Sequence, residues 1–170
     1  MTLPQLGLPS YPYHNGAMFD RPYESLRSRM PTSGSRTERM QRIVDLLWDA
    51  LSPTGVSWLG FYISEGGDEL ILGPRRDKPA CSPIGMHGAC GQCFQTRRPL
   101  VVRDVKDLGT NYIACDPRDR SEVVVPLLES SGRCWGVFDA DSWDVAAFDE
   151  TDVEGLTTLL ESAGLSSPHP

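Results

Sequence analysis

No apolar run in this 170-residue chain approaches the roughly 20 residues needed to span a bilayer, so no membrane-spanning helix is expected. The N-terminus, Met1-Thr2-Leu3-Pro4-Gln5, lacks a basic n-region and an apolar h-region, and no secretory signal is read there. Positive charge is scarce as well. A net charge of −7 at pH 7 argues against sequence-independent nucleic-acid binding, which needs a basic footprint. Internal repeats and low-complexity tracts are missing. A cytoplasmic location follows as an expectation. The five cysteines then read as reduced, reactive or metal-binding thiols rather than a permanent disulfide framework. A zinc site usually pairs two C-x-x-C units, and only Cys90-Gly91-Gln92-Cys93 is present, so neither metal nor cofactor is expected.

What is present is an ordinary globular composition, 39% hydrophobic and 23% charged, in a length that suits one domain. Residues 1–36 read as an N-terminal arm, without period over residues 1–20, in which Tyr11 and Tyr13 are candidate anchors and Tyr23, Leu26 and Met30 hint at a short helix. From Thr37, Met40, Ile43, Val44, Leu47 and Leu51 recur at three- and four-residue steps, the stripe of an amphipathic helix ended by Pro53. Ser57–Ile63 and Glu69–Gly73 are strands around a Gly66-Gly67 turn. Pro79–Ile84 is a short extended segment, and a glycine-spaced loop leads into a helix over Cys90–Arg97. Leu100–Val102 is a strand, Arg103–Arg120 a long loop, and Glu122–Leu128 and Arg133–Asp141 a hairpin of strands. A closing helix runs from Phe148 to Leu160, with Asp149 as N-cap and Asp152 as its N3 partner. Residues 166–170 are a tail. Hairpin-joined strands with intervening helices predict an α+β fold, an antiparallel sheet flanked by helices, over residues 37–165.

Cys115 carries the chemical signal. It lies in the polar loop Asn111–Asp116, close to Arg118 and Arg120, where a neighbouring cation would lower a thiol pKa. Cys81 and Cys90 lie upstream beside glycine-rich turns, as a nucleophilic thiol with resolving partners requires. Taken alone, Cys115 is equally well a small buried hydrophobe. Asp139 and Asp141, two apart on a strand, share a face, and two carboxylates on an apolar face need a cation or a proton. Glu122 close by would feel both and hold its proton more tightly. Solvated acids at a strand end are the plainer alternative. Cys93 and Cys134 read as core, and His87 as an exposed loop residue.

Trp58-Leu59-Gly60-Phe61-Tyr62, Leu72-Gly73-Pro74, Ala80-Cys81, Ala89-Cys90-Gly91, Ile113-Ala114-Cys115-Asp116, Ser121–Leu127 and Gly136–Ser142 together, in that order, resemble the free methionine-R-sulfoxide reductases, single GAF-domain enzymes. The resemblance covers about residues 37–162. It implies a GAF-like fold and reduction of free methionine (R)-sulfoxide. Cys115 would be the catalytic cysteine, Cys81 the resolving one, and Cys90 a third that joins thiol exchange. It further implies that Glu122, Asp139 and Asp141 bind the substrate amino group and assist oxygen departure. Trp58 and Tyr62 would form the pocket wall, and thioredoxin would be the reductant. A homodimer is left open. The Cys81–Cys90 loop is one residue shorter than the family's, and His87 replaces a commoner Arg or Lys. The alternative function is a non-catalytic GAF sensor of a small molecule or of redox state.

Overall fold

The computed structural model describes residues 20–111 and 115–168. Tyr11, Tyr13 and the Tyr112–Ala114 stretch lie outside the described residues. A short helix α1 (Tyr23–Arg27) precedes α2 (Arg36–Leu51), whose stripe Met40, Ile43, Val44, Leu47 and Leu51 is buried as its spacing predicts. The start of α2 is set by Ser35. Its Oγ accepts from Glu38 N at 3.2 Å, while Glu38 Oε2 accepts from Ser35 N at 2.7 Å, so two otherwise orphaned amides are satisfied.

The strands are β1 (Val56–Ser64), β2 (Glu69–Arg76), β3 (Ile84–Gly85), β4 (Leu100–Val102), β5 (Ser121–Leu128) and β6 (Cys134–Ser142). They form one sheet in the order β3-β2-β1-β6-β5-β4, and every pairing is antiparallel. Helix α3 (Ala89–Thr96) lies between β3 and β4, and α4 (Glu150–Ser162) closes the chain. Asp149 caps α4 as expected, accepting from Thr151 N at 2.8 Å, and Asp152 Oδ2 accepts from Asp149 N at 2.9 Å.

The pleat sorts alternate side chains onto two faces. Leu59, Phe61, Val123, Val125, Phe138 and Ala140 join α1, α2 and α4 in the larger core. Phe61 and Phe138 meet edge-on at 5.1 Å there, a pair worth about 0.5–1.5 kcal/mol beyond its buried area. Trp58, Tyr62, Val124 and Val137 face the other way, toward α3. This second face holds the functional candidates.

Three expectations change in detail. The 103–120 loop contains 3₁₀ turns over Val105–Asn111. Of the 79–84 segment only Ile84 enters a strand, paired with Leu70. Part of the tail is docked, because Ser166 Oγ accepts from Leu128 N at 3.0 Å and Ser167 N donates to Leu128 O at 2.8 Å, completing the end of β5. No helix among the described residues is long and apolar enough to cross a membrane.

Candidate active site

On the α3 face a small cavity is lined by Trp58, Tyr62, Ala80, Ile84, Cys90, Cys115, Asp119, Glu122, Asp139 and Asp141. About 40 Å³ of it can hold the centres of water molecules, room for a few waters, and its total empty space, open solvent at the mouth included, is about 470 Å³.

The aromatic wall comes from β1. Trp58 and Tyr62 are both buried, with ring centroids 6.1 Å apart. Gly60 makes the wall possible, since a Cβ there would lie 2.7 Å from the Trp58 ring. Both polar tips fasten the loop that carries Cys81. Trp58 Nε1 donates to Lys78 O at 3.0 Å, and Tyr62 OH donates to Cys81 O at 2.9 Å. Burial, and then the Asp139 charge, raises the Tyr62 pKa, so the hydroxyl stays a donor.

The acids come from β5 and β6. Glu122 pairs with Asp141 across the strands and Val124 with Asp139, so register alone puts the three carboxyls on one face. One oxygen from each lies within 4.8 Å of the others. Asp139 is only 5% exposed. Its Oδ2 accepts from the Cys90 thiol at 3.3 Å, and its Oδ1 is buried with no hydrogen-bond partner among the described residues. Such an atom is costly to leave unmatched. Burial, then Asp139, raises the Glu122 pKa. Burial also raises Asp139, to about 7, and burial followed by Asp139 raises Asp141. All three shifts favour the protonated form.

Three free thiols meet at this cavity or its mouth. Cys115 is exposed, and it lies close enough to Cys81 for that residue to shift its titration. Cys90 is buried on the first turn of α3, held close by Gly91, where a Cβ would meet the Met86 backbone at 2.3 Å.

The GAF domain family model matches residues 33–166. The chain belongs to the GAF-domain family of free methionine-R-sulfoxide reductases. It is 39% identical, over 68% of its own length and 67% of the relative's, to the free methionine-R-sulfoxide reductase of Saccharomyces cerevisiae. The X-ray structure of free methionine-R-sulfoxide reductase from Neisseria meningitidis, in complex with its substrate, is 35% identical with a TM-score of 0.72. That match covers 85% of this chain and 87% of the other. The substrate complex of fRMsr of Staphylococcus aureus is 31% identical with a TM-score of 0.77, covering 88% and 98% of the two chains.

Within this GAF domain every candidate site residue lies at the cavity or, for Cys81, close to a thiol that lines it. The electrostatics of Cys115 differ from expectation. Arg118 is paired with Asp116 at 2.8 Å and Arg120 with Asp104 at 3.2 Å. Lys78 also reaches Asp116, at 2.6 Å. With the guanidiniums so engaged, partial desolvation of the thiol within an otherwise exposed residue, and then the neighbouring Cys81, push Cys115 up to about 12. The shift runs toward the neutral thiol, away from the thiolate.

Sequence reasoning missed Asp119. It is buried, lines the cavity, and accepts from Ser57 Oγ at 3.3 Å. Burial, then Asp116, raises its pKa to about 6. No period marks it, since it lies in an irregular loop. Its one signal was a position three residues before Glu122. Cys93 is buried on α3, its thiol 3.7 Å from Val124 O, and Cys134 is buried with its thiol 3.1 Å from Gly136 O. His87 is exposed.

Proposed function

We propose that this chain reduces free L-methionine (R)-sulfoxide to L-methionine, with Cys115 as nucleophile and Cys81 as the first resolving thiol. The observation that carries the reading is the proximity of Cys115 and Cys81 at the mouth of a cavity floored by three clustered acids. The reductases named among the relatives support the substrate. Trp58 and Tyr62 wall the sulfoxide side chain, and the unpartnered Asp139 Oδ1, with Asp141, receives the substrate ammonium. An ammonium is the kind of partner a buried, unmatched carboxylate oxygen lacks.

The chemistry then balances. Glu122, held protonated by burial, donates to the sulfoxide oxygen. The Cys115 sulfur, losing its proton within the pocket, attacks the activated sulfur. Methionine leaves as the thioether, and the hydroxyl remains on Cys115 as a sulfenic acid. Cys81 displaces that hydroxyl as water, forming a Cys81–Cys115 disulfide. The sum is one sulfoxide and two thiols giving one thioether, one disulfide and one water. Cys90 serves as the later exchange partner, and thioredoxin returns the two electrons.

A GAF sensor would need no such set of thiols and acids. The test is incubation with racemic free methionine sulfoxide and excess dithiothreitol, followed by chiral analysis of the remainder. Loss of the R epimer alone is expected. Equal loss of both epimers, or loss of neither, would refute the reading.

A further inference from the structure

The function proposed above uses Cys90 only in later thiol exchange, yet its place in the fold bears on an earlier step. The residue is 6% exposed, on the first turn of α3, and its Sγ lies 3.3 Å from Asp139 Oδ2. Burial, and then the Asp139 charge, push the Cys90 pKa up, so the sulfur keeps its proton and donates it to the carboxyl. With Oδ2 so engaged, Asp139 Oδ1 is left buried with no hydrogen-bond partner among the described residues, on a side chain that lines the cavity. The terminal torsion of an aspartate is broad when nothing holds it, and a donor on one oxygen settles which oxygen stays open to a ligand.

We propose that Cys90 is a positioning residue for substrate binding: its thiol holds Asp139 by Oδ2 and leaves Oδ1 for the substrate ammonium, a role separate from thiol exchange. The inference rests on the substrate reading given above and adds a residue to it. The donor also bears on charge. An ammonium pairs with the ionised carboxyl, and a hydrogen bond given to that form favours it. Burial raises Asp139 to about 7, and the Cys90 bond is the largest influence pulling it back down. The titratable groups around Asp139 are acids, thiols and a phenol: Glu122 on β5, Asp141 on β6, Asp119 in the loop before β5, Cys93 on α3, Cys115 at the mouth, and Tyr62 on β1. None of these supplies a cation that could replace the donor. A thiol is a weak donor, so its effect sits at the low end for a hydrogen bond to a charged group, about one pKa unit or tenfold. Without it the Asp139 carboxyl ionises at higher pH, so ammonium binding is weakened at low pH and recovered once the carboxyl has ionised.

The test is isothermal titration of free methionine (R)-sulfoxide into the full chain carrying Cys115→Ser, so that binding is read with no thiol chemistry. Adding Cys90→Ala to this parent is expected to weaken binding about tenfold at pH 6 and less than about twofold at pH 8.5, where the carboxyl is ionised in both chains. Adding Cys90→Ser instead, which keeps a donor in that place, should hold the affinity within about twofold of the parent at both pH values. Should Cys90→Ala fail to fold, Cys90→Val, which fills the site without a donor, carries the same expectation. A loss of equal size at both pH values marks a packing role and would overturn the proposal, and so would a serine variant as weak as the alanine one. A parent that binds no methionine sulfoxide would refute the functional reading itself, and this role with it. A parent that binds it, beside a Cys90→Ala chain that binds it equally well at pH 6, would refute the role alone.

Discussion

Asp139→Asn should stabilise the protein while weakening its substrate binding, and the two effects come from the same buried carboxyl. In the fold this group titrates near 7 against an ordinary 3.8, chiefly because burial disfavours its charge. The folded value lies above the unfolded one, so between about pH 4 and 7 the native state holds a proton that the unfolded chain has lost. Stability therefore falls as pH rises through this window. At about 1.36 kcal/mol per unit over roughly three units, the loss reaches about 4 kcal/mol once the group is ionised, as an upper bound. Asparagine keeps an acceptor for the Cys90 thiol but cannot ionise, so the variant escapes that loss. In a chain of this size about 4 kcal/mol corresponds to roughly 8–16 °C in Tm. Calorimetry should show a higher Tm than wild type at pH 8, with the gap closing by pH 4. In the same variant the substrate ammonium loses a charge-assisted partner, about 1.5–3 kcal/mol, or roughly a ten- to hundredfold rise in KM. A variant less stable than wild type at pH 8, or a gain that ignores pH, would refute the reasoning.

Glu122→Gln should lower kcat roughly 10²- to 10⁴-fold with KM little changed, because an amide cannot pass on a proton; single-turnover kinetics separate the two. Cys81→Ser should release one methionine per protein and then stall at a sulfenic acid or a Cys90 disulfide, detectable by mass after trapping with a sulfenic-acid reagent. Cys93→Ser should turn over nearly as wild type does, since its thiol, on α3, faces Val124 O of β5 and does not line the cavity. Arg21→Ala should cost about 3–5 kcal/mol in urea denaturation, because it leaves the buried Asp152 carboxylate without its cation, with only the Tyr23 hydroxyl and Asp149 N still bonded to it. The Arg21–Asp152 pair, at 2.6 Å, has side chains only 1% and 6% exposed.

Periodicity carried most of the fold. The Met40–Leu51 stripe needs only a helical repeat to be read, and the Ser57–Ile63 run only its β-branched and aromatic content. The shared face of Asp139 and Asp141 followed from the two-residue repeat of a strand, and cross-strand register then supplied Glu122. What stayed hidden depends on how loops fold. Spacing placed Arg118 and Arg120 near Cys115, but each guanidinium is paired with an acid, Asp116 or Asp104, which no pattern announces. Asp119 points into the cavity from an aperiodic loop. Arg21 meets Asp152 across 131 positions of sequence, and only the docking of α1 on α4 brings them together. The Cys115–Cys81 proximity is likewise tertiary. The sequence reached it through family resemblance alone, and the tie of Tyr62 OH to Cys81 O is the physical reason the loop lies there.

The most direct measurement is cysteine mapping by mass spectrometry after one equivalent of free methionine (R)-sulfoxide, with no reductant present. The account predicts a Cys81–Cys115 disulfide, one methionine released per chain, and Cys93 and Cys134 still free. A Cys90–Cys93 bridge with Cys115 reduced, or methionine release without any change at Cys115, would contradict it.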